Sequence, residues 1–432
     1  MNALIYALGV LAFVVGIMVS IALHEMGHMV PAKKFGVKVT QFFVGFGNTV
    51  WSTRRGETEY GIKSIPLGGY VKLVGMLPPA KDADPHEVRD SNTGLFTQLA
   101  TDARNAEYET ITDADMDRLF YRLPWWKKVI VMSGGPAVNV AIAVVLFAIV
   151  IMGFGAQQPT TTVQAVSDCA ISDAEAGRAC TAEDPATPAK LAGLESGDVI
   201  TSFDGVRITS WEQLSREIRS NGDRTVELGY TRDGEARTAT ISPSVIARAD
   251  LDDPDRTVQV GFLGVQPTTA LERGTPVDVA QTMWQYVEGT AEAIVYLPSR
   301  MVDVTQAAFG AERDPDGPVG VVGASRISGE LVTLGDPTWA ERTSRVLALL
   351  AGLNVFLALF NMIPILPFDG GHVAGALWEA LRRGWARLRR RPDPGYVDVA
   401  KALPVAYAMG LVLIVMSVIL VYADIVNPVR LS

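Results

Sequence analysis

The chain has 432 residues, of which 48% are hydrophobic, and its formal net charge is −9 at pH 7. This length exceeds that of one ordinary domain and predicts two or three modules. The apolar residues form four runs, each long enough to cross a bilayer, which takes about 20 residues. This pattern excludes an ordinary soluble enzyme and predicts a polytopic α-helical membrane protein with four transmembrane helices. The runs are 3–23, 129–152, 346–366 and 403–423.

The first run begins near the N-terminus, and the only polar residues of 2–23 are Asn2 and Ser20, apart from the hydroxyl group of Tyr6. A cleaved signal peptide is the alternative interpretation of such a segment. The run lacks a basic start, is longer than the usual apolar core, and has no small-x-small cleavage site before its polar end. We therefore expect residues 1–30 to form the first transmembrane helix.

The first run ends in ALHEMGHMV, which places two histidines and a glutamate at the end of an apolar helix. Residues four apart lie on the same face of a helix, so His24 and His28 can bind one metal ion. Glu25 lies beside them and can act as a general base without being a ligand, as in the H-E-x-x-H arrangement of zinc enzymes. The alternative is a solvated helix end just outside the bilayer.

Residues 31–128 divide into three parts. Residues 38–75 alternate aromatic or β-branched residues with polar ones, and glycines punctuate them, which predicts a small membrane-associated sheet of hairpins. Residues 80–115 are charged and rich in Asp and Ala, which indicates a mobile loop. The segment YRLPWWKK, 121–128, has the tryptophans and lysines that are typical of an anchor at the membrane interface.

The region after the second run, residues 160–266, predicts one α+β domain in which a single helix lies between strands. Ser210 and Gln213 are spaced as a capping box at the start of this helix. The sequence TRDGEA contains an Asp-Gly hairpin turn between two alternating strands. These signals indicate a domain that is separate from the membrane helices.

The connector and the third run follow this domain. Residues 267–344 predict an amphipathic connector, with a helix over 276–308 that is broken by DPDGPVGVVG. Residues 345–375 predict the third transmembrane segment, which ends in NVFLALFNMIPILPFDGGHV. Pro364 and Pro367 break the helix there, and broken backbone at membrane depth is tolerated where it lines a cavity.

Basic residues cluster at the ends of the apolar runs, and the positive-inside rule converts this pattern into an orientation. The rule places 31–126 and the basic loop 376–402 in the cytoplasm. It places 153–344 and both termini outside, with a fourth helix over 403–425. The basic residues are Lys33, Lys34, Lys38, Arg118, Arg122, Lys127, Lys128, Arg382, Arg383, Arg387, Arg389, Arg390 and Arg391.

The chain has two cysteines, Cys169 and Cys180, and both fall in the segment that is expected to lie outside. An oxidising compartment permits a disulfide between them. The alternative of two free thiols stays open, because the sequence does not determine the distance between their Cα atoms.

A catalytic zinc ion normally has three protein ligands and one open position, so a third ligand is needed beside His24 and His28. The other two histidines are His86, in the charged loop, and His372, which follows Asp369 at the end of the third run. The expected topology puts Asp369 at the same inner depth as the histidine motif. We choose Asp369 over His372, because an acid at membrane depth is costly unless it binds something. The alternative is that Asp369 caps the next helix.

Five stretches of the chain are similar to motifs of the bacterial site-2 proteases, which are intramembrane zinc metalloproteases with a PDZ domain. HEMGH matches the HExxH of the first span, and NMIPILPFDGG matches the Asn-x-x-Pro and Leu-Asp-Gly motif. SGGPAVNV, 133–140, matches the Gly-Pro-x-x-Asn signature of the second span. VGFG with YGIKSIPLGGYVKLVGM resembles the β-hairpin region near the active site, and AGLESGDVITSFDG is similar to a PDZ domain.

The resemblance implies one zinc ion bound by His24, His28 and Asp369, with Glu25 as general base. Zinc activates a water molecule and polarises the scissile carbonyl group, while the glutamate transfers the proton to the leaving amine. Two departures from the family pattern are visible. Phe368 stands where the family usually has Leu, and motifs for one PDZ domain are found where some relatives have two.

The resemblance also implies how substrates are recognised. Asn361 matches the family asparagine that engages the substrate, and the extended substrate is expected to pair with an edge of the 38–75 sheet near Gly45 and Gly47. The expected substrates are single-span membrane proteins, such as anti-sigma factors, cut by regulated intramembrane proteolysis in the bacterial plasma membrane. The PDZ-like domain is interpreted as a size filter or a reader of new C-termini, with a plain spacer as the alternative.

Two other classes of function stay open at this point. A metal transporter also has histidines and acids within the membrane, but it would need polar ligands in several helices. Here Asn139 and Asn361 are the main polar residues of the other spans. A catalytically inactive peptide-binding scaffold is the second alternative, and the intact Glu25 argues against it.

Overall fold

The computed structural model describes residues 2–79, 101–104, 108, 111–172, 178–181, 183–250, 256–335 and 337–429. The helices, in chain order, are α1 Asn2–Lys34, α2 Trp125–Ala148, α3 Pro188–Leu191, α4 Trp211–Ser220, α5 Pro276–Ala308, α6 Val321–Leu331, α7 Trp339–Asn361, α8 Asp369–Leu388 and α9 Leu403–Val426. The strands are β1 Val39–Arg55, β2 Thr58–Leu73, β3 Ala156–Val166, β4 Val199–Phe203, β5 Val206–Arg207, β6 Val226–Arg232, β7 Glu235–Ile241, β8 Ser244–Ala249, β9 Thr257–Phe262 and β10 Val265–Glu272.

The chain forms two compact units. The first unit combines Met1–Phe154 with Gly274–Ser432, and the second is Gly155–Arg273. Within the described part of the first unit, four helices are long and apolar enough to cross a membrane, which agrees with the four apolar runs of the sequence. They are Ala3–Lys34, Trp125–Phe154, Trp339–Asn361 and Val399–Val426.

The membrane unit is built around α1, α2 and α7. Phe13 of α1 is fully buried in a cluster with Val332 and Leu350, which joins α1 to α7 and to the residue that follows α6. A polar contact crosses the same apolar interior, since the Asn354 side chain donates a hydrogen bond to the Ser20 hydroxyl over 3.0 Å. The same amide group donates to the Leu350 carbonyl at 2.8 Å, so this buried polar contact links α1 to α7 at a defined register.

The β region of the membrane unit is one folded ribbon of β1 and β2. Both strands bend, so residues 39–44 pair with 69–73 on one side and with 59–62 on the other. Residues 49–55 pair with the start of β2. The order across the ribbon is therefore 49–55, 58–65, 39–44 and 69–73, and the last segment is an edge.

The bend of β1 lies at two glycines, Gly45 with φ of 92° and Gly47 with φ of 84°. Residues with a side chain rarely adopt this conformation, so glycine is required there. Before the bend, apolar side chains of β1 pack against Met29 and Ala32 of α1 and Val131 of α2. This packing holds the ribbon against the end of α1 that carries the histidines.

The second unit is an antiparallel sheet with the strand order β10-β3-β4-β6-β7, in which β5 pairs with β4, and a separate β8-β9 pair. Leu214 and Ile218 of α4 are buried in its core. Ser210 caps α4 by accepting a hydrogen bond from the Gln213 amide at 3.2 Å, as its position in the sequence predicts. The Asp-Gly turn joins β6 to β7, with both residues at positive φ.

Two further bonds hold the second unit together. Cys169 and Cys180 are joined by a disulfide, with their Cα atoms 5.9 Å apart, so the alternative of free thiols does not apply to this structure. Arg232 donates to the buried Asp198 at 2.7 Å. This guanidinium group holds the pKa of Asp198 below its usual range.

The break in the third apolar run has a defined position. The helix α7 ends at Asn361, and α8 begins at Asp369 after a turn that contains Pro364 and Pro367. The basic segment 376–402, expected as a loop between spans, is helical through Leu388. Most of the predicted mobile loop 80–115, including His86, lies outside the described residues.

Candidate metal centre and active site

Three side chains from two helices converge on one point. His24 and His28 lie one turn apart near the end of α1, and Asp369 is the first residue of α8. The two Nε2 atoms are 3.2 Å apart, and Asp369 Oδ2 lies 3.5 Å from that of His24 and 3.3 Å from that of His28. All three side chains are largely shielded from solvent. The helical spacing of four residues explains the first pair, and the fold supplies the acid.

This triangle fits the ligand set of a zinc ion. Nitrogen and oxygen ligands at about 2.1 Å from a tetrahedral ion are about 3.4 Å apart, which matches the three distances above. The Asp369 Oδ2 atom is buried and has no hydrogen-bond partner. An unpaired buried carboxylate oxygen is costly, and a cation between the three atoms would compensate it. The donor set of two imidazoles and one carboxylate is a set that catalytic zinc sites use.

The alternative role of Asp369 as a helix cap finds no support in its contacts. Phe368, not Asp369, occupies the N-cap position of α8, and no side-chain hydrogen bond caps this helix. Phe368 is buried and packs edge-on against Phe360 of α7, with ring centroids 4.8 Å apart. The phenylalanine that replaces the usual leucine therefore fastens the Asp369 turn to the end of α7.

Each imidazole is oriented through its other nitrogen by α2. His28 Nδ1 lies 2.8 Å from the carbonyl oxygen of Val131, and His24 Nδ1 lies 3.1 Å from the side-chain amide of Asn139. The Asn139 oxygen is buried without a partner when its nitrogen faces the imidazole. A His24 that binds metal through Nε2 carries its proton on Nδ1, so the amide must be turned to present its oxygen there. That single rotation gives the His24 Nδ1–H group an acceptor and the Asn139 oxygen a donor.

The close approach of α1 and α2 depends on three glycines. A Cβ atom on Gly135 would lie 2.7 Å from His24 Nε2 and closer still to His28 Nε2. Gly27 and Gly134 face each other, and a Cβ atom on either would collide with the backbone of the other. Small residues at a helix crossing allow this approach. The crossing brings Val131 and Asn139 within reach of the imidazoles.

Glu25 faces the β ribbon. A Cβ atom on Gly69 would lie 3.1 Å from the Glu25 side chain, and the Val71 backbone is also close to the Glu25 carboxylate. Both residues belong to the edge segment 69–73. The carboxylate, the metal ligands and an unpaired strand edge therefore meet in one place.

The remaining predicted site residues lie in other surroundings. The nearest atoms to Gly45 and Gly47 belong to the neighbouring segment of β2, including Ile65. Asn361, at the end of α7, donates its side-chain amide to the Leu357 carbonyl at 3.0 Å. His372 is in α8 but does not belong to the cluster of possible metal ligands among the described residues.

Sequence reasoning missed several neighbours of the site, namely Val131, Asn139, Gly135, Gly69 and Val71. Two of them carried a signal, because SGGPAVNV contains Gly135 and Asn139 and resembles a family motif. A polar Asn in an apolar run is itself a sign of function. A backbone carbonyl or amide leaves no trace in the sequence, so Val131 and Val71 were visible only in the structure.

Comparisons with known proteins point to one family. The model of peptidase family M50 matches residues 12–392. The chain is 32% identical over 448 residues to a protein named zinc metalloprotease Rip1 of Mycobacterium tuberculosis, covering 99% of this chain and all of the relative. It is 31% identical over 444 residues to the protein of the same name from Mycolicibacterium smegmatis, with the same coverage. It is 28% identical over 390 residues to the metalloprotease MmpA of Caulobacter vibrioides, covering 86% of each chain.

Proposed function

The chain belongs to peptidase family M50 and is a membrane zinc metalloprotease, and from this premise we propose that it hydrolyses peptide bonds within or near the transmembrane segments of single-span proteins. The observation that carries the proposal is the cluster of His24, His28 and Asp369. The two histidines lie near the end of the first candidate span, and Asp369 follows the break at the end of the third. A cluster of metal ligands at the ends of two membrane helices suits a substrate that is itself a membrane segment.

We assign His24, His28 and Asp369 as the protein ligands of one zinc ion. A zinc ion held by these residues would lower the pKa of a bound water molecule and polarise the scissile carbonyl group. The Val131 carbonyl and the Asn139 amide hold the two imidazoles in the orientation that directs Nε2 at the ion. These contacts support the assignment, because the ligands are oriented before the ion binds.

Glu25 is assigned as the general base. It takes a proton from the attacking water and passes it to the leaving amine. Its contacts with Gly69 and Val71 place the carboxylate beside the strand edge 69–73. A peptide bond held along that edge would be presented to both the base and the metal ligands.

A substrate helix must unwind before cleavage, because its carbonyl groups are occupied by helical hydrogen bonds. We propose that the unwound segment pairs with the free edge of 69–73 as an added strand. Gly45 and Gly47 then contribute by allowing the bend of β1 rather than by touching the substrate. Asn361, at the end of α7, is proposed to bind the substrate backbone close to the cleaved bond.

The proposed orientation follows from the basic residues at the ends of the spans. We place the metal centre near the cytoplasmic side, and the second unit and both termini outside the cell. The second unit is proposed to be a PDZ-like domain that filters substrates by size or reads their new C-termini. Its own core and its disulfide support an independent domain in an oxidising compartment.

The proposed substrates are single-span proteins of the bacterial plasma membrane, with anti-sigma factors as the first candidates. In regulated intramembrane proteolysis a first cut outside the membrane would shorten the substrate. The present enzyme would then release the cytoplasmic fragment.

The test is cleavage of a tagged single-span anti-sigma factor, shortened on its outer side, by the wild type and by Glu25→Gln. Zinc content is measured on the same samples, and His24→Ala serves as the variant that loses a ligand. We expect cleavage by the wild type alone, zinc in the wild type and in Glu25→Gln, and reduced zinc in His24→Ala.

Each result has a definite meaning. Equal cleavage by wild type and Glu25→Gln would disprove the role of Glu25. Full zinc in His24→Ala would disprove the ligand set. Cleavage of an unrelated membrane peptide but not of the anti-sigma factor would retain the protease and reject the proposed substrate class.

A further inference from the structure

We propose that the C-terminal half of α8, from Leu377 to Leu388, is an amphipathic helix that binds, together with the arginines that follow it to Arg391, the surface of a bilayer containing anionic lipid. The proposal concerns a part of the molecule outside the metal centre and does not depend on which substrate is cut.

The exposed face of this helix is apolar. Five large apolar side chains are exposed along it, and at 3.6 residues per turn they fall within an arc of about 100°. A helix that faces water normally shows polar residues on its exposed side. This helix shows the reverse, as a surface in contact with lipid does. The residues are Leu377, Trp378, Leu381, Trp385 and Leu388.

The opposite face holds the helix on the protein. Val373, Ala376 and Ala386 are buried there, and Glu379 is 1% exposed. Glu379 bonds Lys128 of α2 at 2.7 Å and Arg383 at 3.2 Å. Since Glu379 and its ion pairs point inward, the apolar arc is turned away from the membrane unit.

The ion pair between Glu379 and Lys128 also indicates the depth at which the helix lies relative to the membrane. Lys128 lies in the first turn of α2, which is a candidate span, so Glu379 lies beside the point where this span begins. Trp125 and Trp126, in the same turn of α2, are exposed, and tryptophans concentrate at the membrane interface. The apolar face of α8 therefore starts at headgroup level. Trp378 and Trp385 add two more residues of the interfacial type.

The charge of the helix selects the kind of lipid. Arg387, Arg389, Arg390 and Arg391 are exposed, and no carboxylate among the described residues pairs with them. The Arg389 guanidinium group lies 4.4 Å from the ring centroid of Trp385, so the cation borders the apolar arc. An amphipathic helix with arginines beside tryptophan and leucine binds the interface of anionic membranes.

The first test measures what covers the apolar arc. The protein is reconstituted in vesicles with a spin label at Leu388→Cys, which is specific because Cys169 and Cys180 are joined. Leu191→Cys in the second unit is the matched control, since both leucines are 78% exposed. We expect the label at residue 388 to collide with oxygen and not with a water-soluble nickel complex. The label at residue 191 should collide with nickel.

Two other results would overturn the proposal. Nickel access at residue 388 would show that the arc faces water. Protection of residue 388 from both oxygen and nickel would show that a second copy of the chain, or another protein, covers it.

The second test measures the preference for anionic lipid. The full protein is reconstituted in vesicles that mix phosphatidylcholine with phosphatidylglycerol, and the lipid that copurifies with it is identified by mass spectrometry. Replacing Arg387, Arg389, Arg390 and Arg391 with Gln should reduce the preference for phosphatidylglycerol at least about fivefold, the effect of one arginine near a charged surface. The control replaces four exposed arginines of the second unit, Arg207, Arg216, Arg237 and Arg273, and should leave it unchanged. An equal effect of both sets, or no effect of the first, would contradict the proposal.

Discussion

At the residue scale, the centre depends on partners that orient the metal ligands as much as on the ligands. His28 is held by a backbone carbonyl, which mutation of a side chain does not remove. His24 is held by the side chain of Asn139. The orientation of His24 is therefore the part of the centre that can be tested by substitution.

We predict that Asn139→Leu lowers zinc affinity by about 10- to 100-fold, the usual effect of losing a residue that orients a metal ligand. Leucine fills a similar space but accepts no hydrogen bond from His24 Nδ1. Asn139→Asp should retain zinc, because its carboxylate is an acceptor at the same position. The measurement is the zinc dissociation constant, obtained by competition with a chelator.

This prediction separates orientation from packing. If the amide oxygen is what His24 needs, the Asp variant behaves as the wild type and the Leu variant does not. Equal zinc affinity in the Leu variant and the wild type would show that Asn139 only fills space between α1 and α2.

At the scale of elements, the edge segment 69–73 of β2 connects the β ribbon to the catalytic residues. One side of it pairs with 39–44, and its residue Gly69 lies beside Glu25. The opposite edge, 49–55, pairs with 58–63 and is separated from 69–73 by two other segments. The two edges have similar backbones and different neighbours, which makes one a control for the other.

We predict that a substrate trapped in the Glu25→Gln variant crosslinks to the edge 69–73 and not to the edge 49–55. A photoreactive benzoylphenylalanine replaces Lys72 on the first edge or Arg54 on the second, and both positions are exposed. Irradiation followed by electrophoresis detects the crosslinked product. Stronger crosslinking from Arg54 than from Lys72 would reject strand addition at 69–73.

At the scale of the whole molecule, the chain separates into a membrane unit and a second unit inserted into it. The insertion begins and ends with neighbouring strands, because Ala156 of β3 pairs with Glu272 of β10. Antiparallel partners lie about 5 Å apart. A short turn can therefore replace the residues between them without stretching the membrane unit.

We predict that replacing residues 157–271 with a Gly-Ser turn leaves zinc binding and cleavage of the shortened substrate intact. If the second unit is a filter, this variant should also cut the substrate that retains its full outer domain, which the wild type should leave uncut. Cleavage of both substrates is followed by the release of the tagged fragment.

The matched control is the same deletion with Glu25→Gln, which should cut neither substrate. Failure of the deletion variant to cut the full-length substrate, with normal cleavage of the shortened one, would reject the filter. The second unit would then be a spacer.

The sequence by itself determined the features that depend on near neighbours. Apolar runs of about 20 residues are sufficient to define membrane helices, and the four-residue spacing of His24 and His28 is sufficient to place both on one helix face. The capping of α4 by Ser210 and the Asp-Gly turn after β6 were local in the same way. For these features the interacting groups are separated by a few residues, so the local sequence is sufficient to predict the contact.

Only the tertiary structure decided which distant groups meet. It brought Asp369 within 3.5 Å of both histidines and left His372 out of the cluster. It also turned the edge 69–73, rather than the bend at Gly45 and Gly47, towards Glu25. The physical reason is that these contacts follow from the crossing of α1 and α2 and from the double bend of the β ribbon. Both are set by packing between segments that are far apart in the chain, and no local pattern records that packing.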